Sequence, residues 1–382
     1  MRTASMDKKK LLIATDSFLP RWDGIARFLI EIVPKLAQDF HVTIVAPEYE
    51  GEGIALEGVQ IIRIPLHRFQ IADYTPSRFD ASQIRSLVSQ HDIIWTQTIG
   101  PIGMTAIRLG RKANKTVIAY IHSIEWELVT KSLEAKHINR LLTGLIVKKV
   151  AQYLYNKCDL LLISSIEVAR ILRKQGIRTP KIVIRLGVNA DRFKPAADKA
   201  HIKEQLGFSK DAIIIGFSGR IGREKDLKTL YRAFIRVEKL FRNVHLLIVG
   251  TGVKGEEKML LRHHRVKLIG PTNNIVSYLQ AMDIFVLPSL TETSSLATME
   301  AMAAGLAVVA TPVGSINEYL RDRKNGLIFP KRNPYVLSLK LEQLIRNPEL
   351  RQKLGGEARK TIVENYTWDR TIERLKEILH SF

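Results

Sequence analysis

Residues 284–310 constrain the fold more than any other part of the chain. An apolar, β-rich run at 284–287 ends at Pro288 and is followed by a polar loop. A helix-forming run at 297–304 stops at Gly305, and a second apolar run begins at once. Strand, loop, helix, glycine and strand form a βαβ unit with parallel strands. The polar loop therefore lies at the carboxyl end of a strand, where open α/β sheets bind ligands.

Two carboxylates flank the start of the helix in this unit. Glu292 precedes it and Glu300 lies about two turns inside it, so both side chains can face one crevice. The residues whose amides open the helix are Thr293, Ser294, Ser295 and Leu296. Amides at a helix N-terminus bind anions such as phosphate. We interpret Glu292 as a ligand for hexose hydroxyls and Glu300 as a ligand for ribose hydroxyls. The structural alternative is a solvated Glu300 and a Glu292 favoured by the helix dipole.

Two basic residues follow another predicted strand, at 213–217. The sequence from Gly216 reads GFSGRIGREKDL, and Gly219 leaves space for a phosphate beside Arg220. Arg220 offers a bidentate fork and Lys225 a point charge, which together suit a diphosphate leaving group. In a chain with 59 Lys and Arg residues, the alternative is that both are surface charges.

These motifs resemble the donor-site signature of the family 4 retaining nucleotide-sugar glycosyltransferases. The shared pattern is E-x(7)-E followed by AMA-x-G and a VVAT strand, with the G-R-x(3)-E-K segment upstream. The resemblance implies the α/β GT-B fold, with two Rossmann-like doubly wound domains facing across a cleft. It also implies that Arg220 and Lys225 bind the donor diphosphate and that Glu292 belongs to the catalytic site.

Two departures from the family pattern concern specificity. Residues 293–295 read Thr-Ser-Ser where many relatives have Gly-Phe-Gly, and residues 186–188 read Leu-Gly-Val in place of the usual Asn-Gly-Val. The identity of the sugar and of the base, UDP or GDP, therefore does not transfer.

Strands and helices alternate along both halves of the chain, which predicts two parallel sheets. The predicted strands lie at 10–14, 42–46, 59–64, 93–96, 117–121 and 160–163 in the first half, and at 213–217, 245–249, 266–269, 284–287 and 306–310 in the second. We assign residues 1–186 to an acceptor domain and 187–368 to a donor domain. The helix at 369–382 returns to the first domain in GT-B proteins.

Three residues of the first half are candidates for the sugar and acceptor sites. Gly24 ends a P-x-x-x-G loop that relatives also have, and it permits close backbone approach to a ligand. His122 ends the strand VIAYIHS and resembles the family histidine that reaches the reacting sugar, so we count it as catalytic. Glu125 is placed on the acceptor side. A tight turn at Gly24, a structural His122 and a solvated Glu125 are the alternatives.

Residues 131–157 hold six Lys or Arg residues and one acidic residue. An apolar stripe at helical period consists of Leu141, Leu142, Leu145, Ile146 and Tyr153, and the cations beside it are Lys136, Arg140, Lys148 and Lys149. Such a helix can lie in a membrane interface with its cations near anionic headgroups. The alternative is a stripe packed onto the first sheet with solvated cations.

Composition narrows the class of partner and compartment. The net charge is +21, yet aromatic residues are only 7%, and no zinc-finger, RNP-like or KH-type pattern is present, so we expect an anionic membrane surface rather than nucleic acid as partner. The single cysteine, Cys158, fits a reducing compartment. Neither a signal peptide nor a membrane-spanning run is evident, and Met6 is an alternative start. No D-x-D pair occurs, so we expect neither a metal nor a cofactor besides the co-substrate.

The sequence thus predicts a retaining, metal-independent hexosyltransferase that forms an α-glycosidic bond. The expected donor is a nucleotide-sugar and the expected acceptor a lipid or lipid-linked glycan at the cytoplasmic face of the cell membrane. A GT-B nucleotide-sugar epimerase and a transferase with a soluble acceptor are the alternatives. The acceptor's identity and the oligomeric state stay open.

Overall fold

A computed structural model describes residues 8–51, 55–69, 75–132 and 137–382. For residues 131, 132 and 137–140 it describes the backbone alone. The chain forms two compact units. Unit 1 is 1–185 with 368–382, and unit 2 is 186–367.

Unit 1 contains a seven-stranded sheet in the order β3-β2-β1-β4-β5-β6-β7, with every pair parallel. Its strands are β1 Lys10–Ala14, β2 His41–Pro47, β3 Val59–Ile64, β4 Ile93–Thr96, β5 Thr116–Ile121, β6 Leu160–Ile163 and β7 Lys181–Val183. Its helices are α1 Gly24–Leu36, α2 Ala81–Gln90, α3 Pro101–Lys112, α4 Glu125–Ser132, α5 His137–Tyr155, α6 Ile166–Lys174 and, from the end of the chain, α15 Trp368–His380.

The two faces of this sheet carry different helices. Apolar residues of α2, α3, α5 and α6 form one buried cluster with alternate residues of the strands, such as Ile94 and Val117. Phe28 of α1 packs instead on Trp95 and Tyr120, whose side chains point to the opposite face, at ring-centroid distances of 6.3 and 4.8 Å. Helices α1 and α15 therefore lie on the face opposite α2, α3 and α5.

Unit 2 contains a six-stranded sheet in the order β10-β9-β8-β11-β12-β13, again with every pair parallel. Its strands are β8 Ile213–Ser218, β9 Val244–Val249, β10 Val266–Ile269, β11 Ile284–Leu287, β12 Ala307–Ala310 and β13 Leu327–Ile328. Its helices are α7 Lys199–Gln205, α8 Leu227–Glu238, α9 Lys254–Leu260, α10 Ile275–Ala281, α11 Leu296–Ala303, α12 Ile316–Tyr319, α13 Pro334–Arg346 and α14 Pro348–Asn365, with a 3-10 turn at Arg223–Lys225.

The βαβ unit predicted at 284–310 is present as β11, α11 and β12. Strand β11 has four buried residues and pairs in parallel with β12 on one side and β8 on the other. Ser295 caps α11 by accepting a hydrogen bond from the amide of Thr298 at 3.3 Å, and the helix ends before Gly305, whose φ of +73° favours glycine.

The unit boundaries differ from the predicted domain boundaries by one residue at each crossing. Leu186 belongs to unit 2 and Trp368 to unit 1. Trp368 is the first residue of α15 and its ring lies 6.0 Å from that of Phe28, so the residue packs with α1.

Candidate functional site

The candidate donor residues lie at the carboxyl edge of the unit 2 sheet. Arg220 follows β8 and Glu292 follows β11, and these two strands are neighbours in the sheet. The edge is the place where parallel α/β sheets bind ligands, because the loops there project beyond the ends of the strands. The fold therefore brings the two motifs, which are far apart in sequence, onto adjacent loops.

Lys225 and Glu292 form an ion pair. The Lys225 ammonium lies 2.5 Å from Glu292 Oε1, and the Ser289 hydroxyl donates to the same oxygen at 2.8 Å. The lysine side chain is 20% exposed and the glutamate side chain 10%. The ion pair fixes the positions of both side chains, because their attraction is stronger away from bulk water.

Arg220 is held by Glu224, which lies four residues later in the sequence. Arg220 Nη2 donates to Glu224 Oε1 across an ion pair, and the glutamate side chain is only 3% exposed. The carbonyl of Glu224 also accepts from the amide of Leu290 at 2.7 Å, which joins this turn to the loop after β11. Glu224 thus positions the guanidinium at the edge of the sheet.

The backbone between β8 and Arg220 is closely packed on the loop after β9. Gly219 has a φ of +142°, a conformation that favours glycine. Its amide donates to Val249 at 2.9 Å, and a Cβ on Gly250 would lie 2.0 Å from the carbonyl oxygen of Gly219. Glycine is therefore needed at this turn for its conformation, and the turn sets the direction of Arg220.

The predicted anion-binding residues surround the start of α11. Thr293 and Ser295 are buried, Ser294 is half-buried and Leu296 is the first helical residue. The Thr293 carbonyl accepts from the amide of Ser315 at 2.8 Å, so the loop after β12 supports this segment.

Glu300 and Tyr319 are buried beneath this segment. Glu300 is 2% exposed because α11 packs against α14 and both neighbouring strands. Burial raises the pKa of Tyr319 well above its ordinary value, and the charge of Glu292 raises it further. The structure thus places Glu300 inside the unit rather than on a solvated helix face, and it adds Tyr319 to the surroundings of Glu292.

His122 lies at the carboxyl edge of the unit 1 sheet, directly after β5. Its ring stacks on Tyr120 at a centroid distance of 4.3 Å and meets Phe28 edge-on at 5.1 Å. His122 Nε2 lies 2.8 Å from Gln97 Oε1, and Gln97 follows the neighbouring strand β4. Burial lowers the pKa of His122 to about 3, so the imidazole is neutral at working pH.

Glu125, the predicted acceptor residue, begins α4. Its Oε1 accepts a hydrogen bond from the hydroxyl of Tyr155, at the end of α5. Burial raises the pKa of Glu125 to about 7, although the tyrosine hydrogen bond lowers it in part. The alternative of a solvated Glu125 is therefore wrong, and Glu125 connects the edge of the sheet to α5.

Gly24 begins α1, and Asp23 caps this helix by accepting from the amides of Ile25 and Ala26 at 2.9 and 3.0 Å. A Cβ on Gly24 would meet no atom within 4 Å, so the fold leaves open space at this position.

The start of α3, also at this edge of unit 1, is occupied by a carboxylate of the chain. Asp16 accepts from the amides of Ile102 and Gly103 at 2.8 and 3.1 Å and from the Thr98 hydroxyl at 2.6 Å. These contacts satisfy the N-terminus of α3 internally.

The predicted apolar stripe of the membrane segment belongs to α5. Side chains of the apolar stripe on α5 are between 53% and 58% exposed at Leu141, Leu142, Leu145, Ile146 and Tyr153. The alternative in which this stripe packs onto the sheet is therefore wrong. Instead the opposite face of α5, with Ala151 and Leu154, enters the core.

The cations beside the stripe are only partly described. Lys149 is exposed and Lys148 half-buried. Lys136 lies outside the described residues, and of Arg140 only its place in the helix is described. Within the described part of the chain, no helix is long and apolar enough to span a bilayer, and no group of three or more His, Cys, Asp or Glu residues is arranged to hold a metal ion.

Sequence reasoning missed three residues of these edges: Gln97, Glu224 and Tyr319. Glu224 lies inside the matched motif and Gln97 directly follows a predicted strand, so the sequence carried a signal for each. Tyr319 had no such signal.

Two family models match the chain. The model described as glycosyltransferase family 4 matches residues 22–192, and the model described as glycosyl transferases group 1 matches residues 198–361. The first match lies almost entirely in unit 1, and the second lies in unit 2.

Individual proteins show the same similarity. The GDP-mannose-dependent alpha-(1-6)-phosphatidylinositol monomannoside mannosyltransferase of Mycolicibacterium smegmatis is 23% identical over 394 residues, which covers 97% of this chain and 98% of the relative. EpsD of Bacillus subtilis is 29% identical over 222 residues, 56% of this chain and 58% of the relative. The crystal structure of Anabaena Alr3699/HepE in complex with UDP has a TM-score of 0.78 at 18% identity and covers 98% of this chain and 100% of that chain.

The similarity to HepE shows the GT-B fold, and the motifs, the two paired cations and the family matches agree with one another. The chain belongs to the family 4, group 1 nucleotide-sugar glycosyltransferases.

Proposed function

We propose that this protein transfers a hexose from a UDP- or GDP-linked donor to a lipid or lipid-linked acceptor, with retention of configuration and without a metal ion. The observation that carries the proposal is the pair of carboxylate-held cations, Arg220 and Lys225, at the carboxyl edge of the unit 2 sheet. Preorganised cations at the leaving group stabilise the charge that develops there.

The proposed chemistry needs the leaving diphosphate to accept a proton. The acceptor hydroxyl forms the new bond to the anomeric carbon while the bond from that carbon to the phosphate oxygen breaks. The hydroxyl proton moves to the departing phosphate oxygen on the same face, so the α configuration is kept. Arg220 and Lys225 stabilise the diphosphate charge in place of a metal.

The remaining site residues bind and orient the donor in this proposal. Glu292 binds hexose hydroxyls, and the amides that open α11 bind a phosphate. Glu300 binds the ribose, for which its carboxylate must become accessible when the donor enters. His122, whose imidazole is neutral, binds the reacting sugar in this proposal.

A nucleotide-sugar donor is supported by HepE, whose crystal structures contain UDP and UDP-glucose. A lipid acceptor is supported by the mycobacterial relative, which is named for GDP-mannose and a phosphatidylinositol mannoside. Because these proteins differ in base, both UDP and GDP donors belong in the test.

The proposed place of action is a membrane surface, with α5 in the interface. Its exposed stripe presents leucine and isoleucine side chains that a soluble surface rarely groups together. Cations such as Lys149 adjoin the stripe, and the chain carries a net charge of +21. An apolar face flanked by cations is the pattern of a helix that lies in an anionic interface.

Radiolabelled UDP- and GDP-sugars incubated with a lipid extract test the proposal. We expect label in the organic phase, unchanged by EDTA, in an α-linked product. Label found only in a water-soluble product would replace the lipid acceptor by a soluble one. A β-linked product would refute retention, and loss of activity in EDTA with recovery in Mn²⁺ would refute metal independence.

A further inference from the structure

A groove on the surface of unit 1 lies between α2, α3 and the C-terminal end of α5. It encloses about 340 Å³. Six of the residues that line it are basic or aromatic: Phe79, Arg85, Arg108, Lys112, Tyr153 and Lys157. We call it the α2–α3–α5 groove.

The four cations of this groove are not neutralised within the described part of the chain. No ion pair joins another described residue to Arg85, Arg108, Lys112 or Lys157. Lys157 instead contacts the ring of Tyr153, with its ammonium 4.8 Å from the ring centroid. Four like charges around one concave surface repel one another, and an anionic ligand would relieve that repulsion.

Neighbouring charges on the same helices are arranged differently. Arg111 of α3 forms an ion pair with Asp159 at 2.6 Å. Asp80, beside Phe79 in sequence, accepts from the amide of Gln83 at 2.9 Å and so caps α2. The nearby carboxylates of Asp80 and Asp159 therefore make other contacts, and the groove keeps its positive charge.

The groove continues the exposed stripe of α5. Ile146, Val150 and Tyr153 follow one another at helical spacing, so Tyr153 closes the stripe and also lines the groove. Phe79, on the other wall, is 66% exposed and Tyr153 is 56% exposed. Aromatic rings of this kind settle at the boundary between headgroups and acyl chains.

We infer that the α2–α3–α5 groove binds the phosphate headgroup of an anionic membrane lipid while the stripe of α5 enters the acyl boundary beside it. The inference rests on the proposed membrane association and assigns it a specific headgroup site. A phosphate matches the groove because arginine and lysine side chains supply several donors around a single anion. Continuity with the apolar stripe favours a lipid over a soluble phosphate.

The test compares two double variants of the full chain in co-sedimentation with vesicles. Arg108→Gln with Lys112→Gln removes two exposed groove cations. Lys35→Gln with Arg370→Gln removes two exposed cations of α1 and α15, on the opposite face of the sheet. Vesicles contain phosphatidylglycerol with phosphatidylcholine, or phosphatidylcholine alone. Circular dichroism and thermal midpoints establish that both variants are folded.

We expect the groove variant to lose partition to the anionic vesicles by about 25-fold, since each cation near an anionic surface is worth about fivefold. The control variant should lose less than about twofold, because its charges lie on the opposite face of the sheet and salt screens their attraction to the membrane. Equal losses in the two variants would overturn the headgroup site, because the general electrostatic attraction of a basic protein would then explain the binding.

A third variant separates this inference from the membrane association on which it rests. Leu142→Ser with Ile146→Ser removes stripe residues that are exposed and so do not support the core. If the stripe variant loses binding while the groove variant behaves like the control, the groove proposal alone is wrong. If the unchanged protein binds neither kind of vesicle, the proposed membrane association is wrong as well.

Discussion

The two sheets share one strand order over six strands, but the side chains at their carboxyl edges differ in charge. On unit 2 the edge carries charged groups in pairs, Lys225 with Glu292 and Arg220 with Glu224. On unit 1 burial and aromatic stacking keep His122 neutral, and burial raises the pKa of Glu125 to about 7. One Rossmann-like edge is thus suited to a diphosphate, and at the other edge His122 offers a neutral imidazole to a ligand such as a sugar.

The difference arises from what surrounds each edge. In an ion pair at the unit 2 edge, the attraction between the partners offsets part of the cost of removing each charge from water. His122 meets aromatic rings and the Gln97 amide, and burial lowers its pKa to about 3.

The largest effect is expected from removing a charge at the unit 2 edge. Arg220→Ala or Lys225→Ala should lower transfer by about 10²–10³, because each removes a donor at the leaving diphosphate. Lys228→Ala, an exposed lysine on α8, is the matched control and should keep wild-type activity. Initial rates with saturating donor, with circular dichroism for the fold, provide the measurement. Retention of more than about half of the activity in both site variants would remove the diphosphate assignment.

A smaller effect is expected when Arg220 is kept and the contact that positions it is weakened. Glu224→Gln keeps a hydrogen-bond acceptor for Arg220 but removes the carboxylate charge that holds it. A charged hydrogen bond exceeds a neutral one by about 1–1.5 kcal/mol, so donor KM should rise about tenfold. An unchanged KM in a folded variant would show that the guanidinium is positioned by other contacts.

Much of the fold could be predicted from sequence because parallel buried strands are short apolar runs. Strands β3, β4, β6, β10 and β11 have the predicted ends. The predicted helix run at 297–304 differs from α11 by one residue at each end, since the cap at Ser295 sets its start.

The pairing of side chains could not be predicted in the same way. Lys225 and Glu292 are 67 residues apart in sequence, and only the neighbouring position of β8 and β11 brings them together. The exposure of the α5 stripe was also undecided, because helical periodicity is the same for a helix face that packs and one that does not.

The neutral edge of unit 1 can be tested at Gln97. Gln97→Leu removes the hydrogen-bond partner of His122 Nε2 and keeps a side chain of similar size. We expect kcat to fall about fivefold, the value of one neutral hydrogen bond, while the fold is kept. Gln97→Glu is the complementary variant: a carboxylate beside the ring should raise the pKa of His122 and bring an acid limb into the pH profile. A wild-type profile in both variants would contradict a positioning role for Gln97.

The smallest effect concerns the stability of unit 1 and its dependence on pH. The pKa of Glu125 is about 7 in the folded protein, above its ordinary value of 4.5, so the folded state binds the proton more tightly than the unfolded state. The stabilisation is complete below about pH 4.5 and is lost as the pH rises through about 7. Glu125→Gln cannot ionise and keeps an oxygen that can accept from Tyr155. Its thermal midpoint should match that of the wild type in acid and exceed it above about pH 7, with about 2–4 °C for each kcal/mol. Exposed Glu167→Gln serves as the control and should show no such crossover. A midpoint difference that does not change with pH would mean that Glu125 ionises freely, and the two sheet edges would then be less different than the structure indicates.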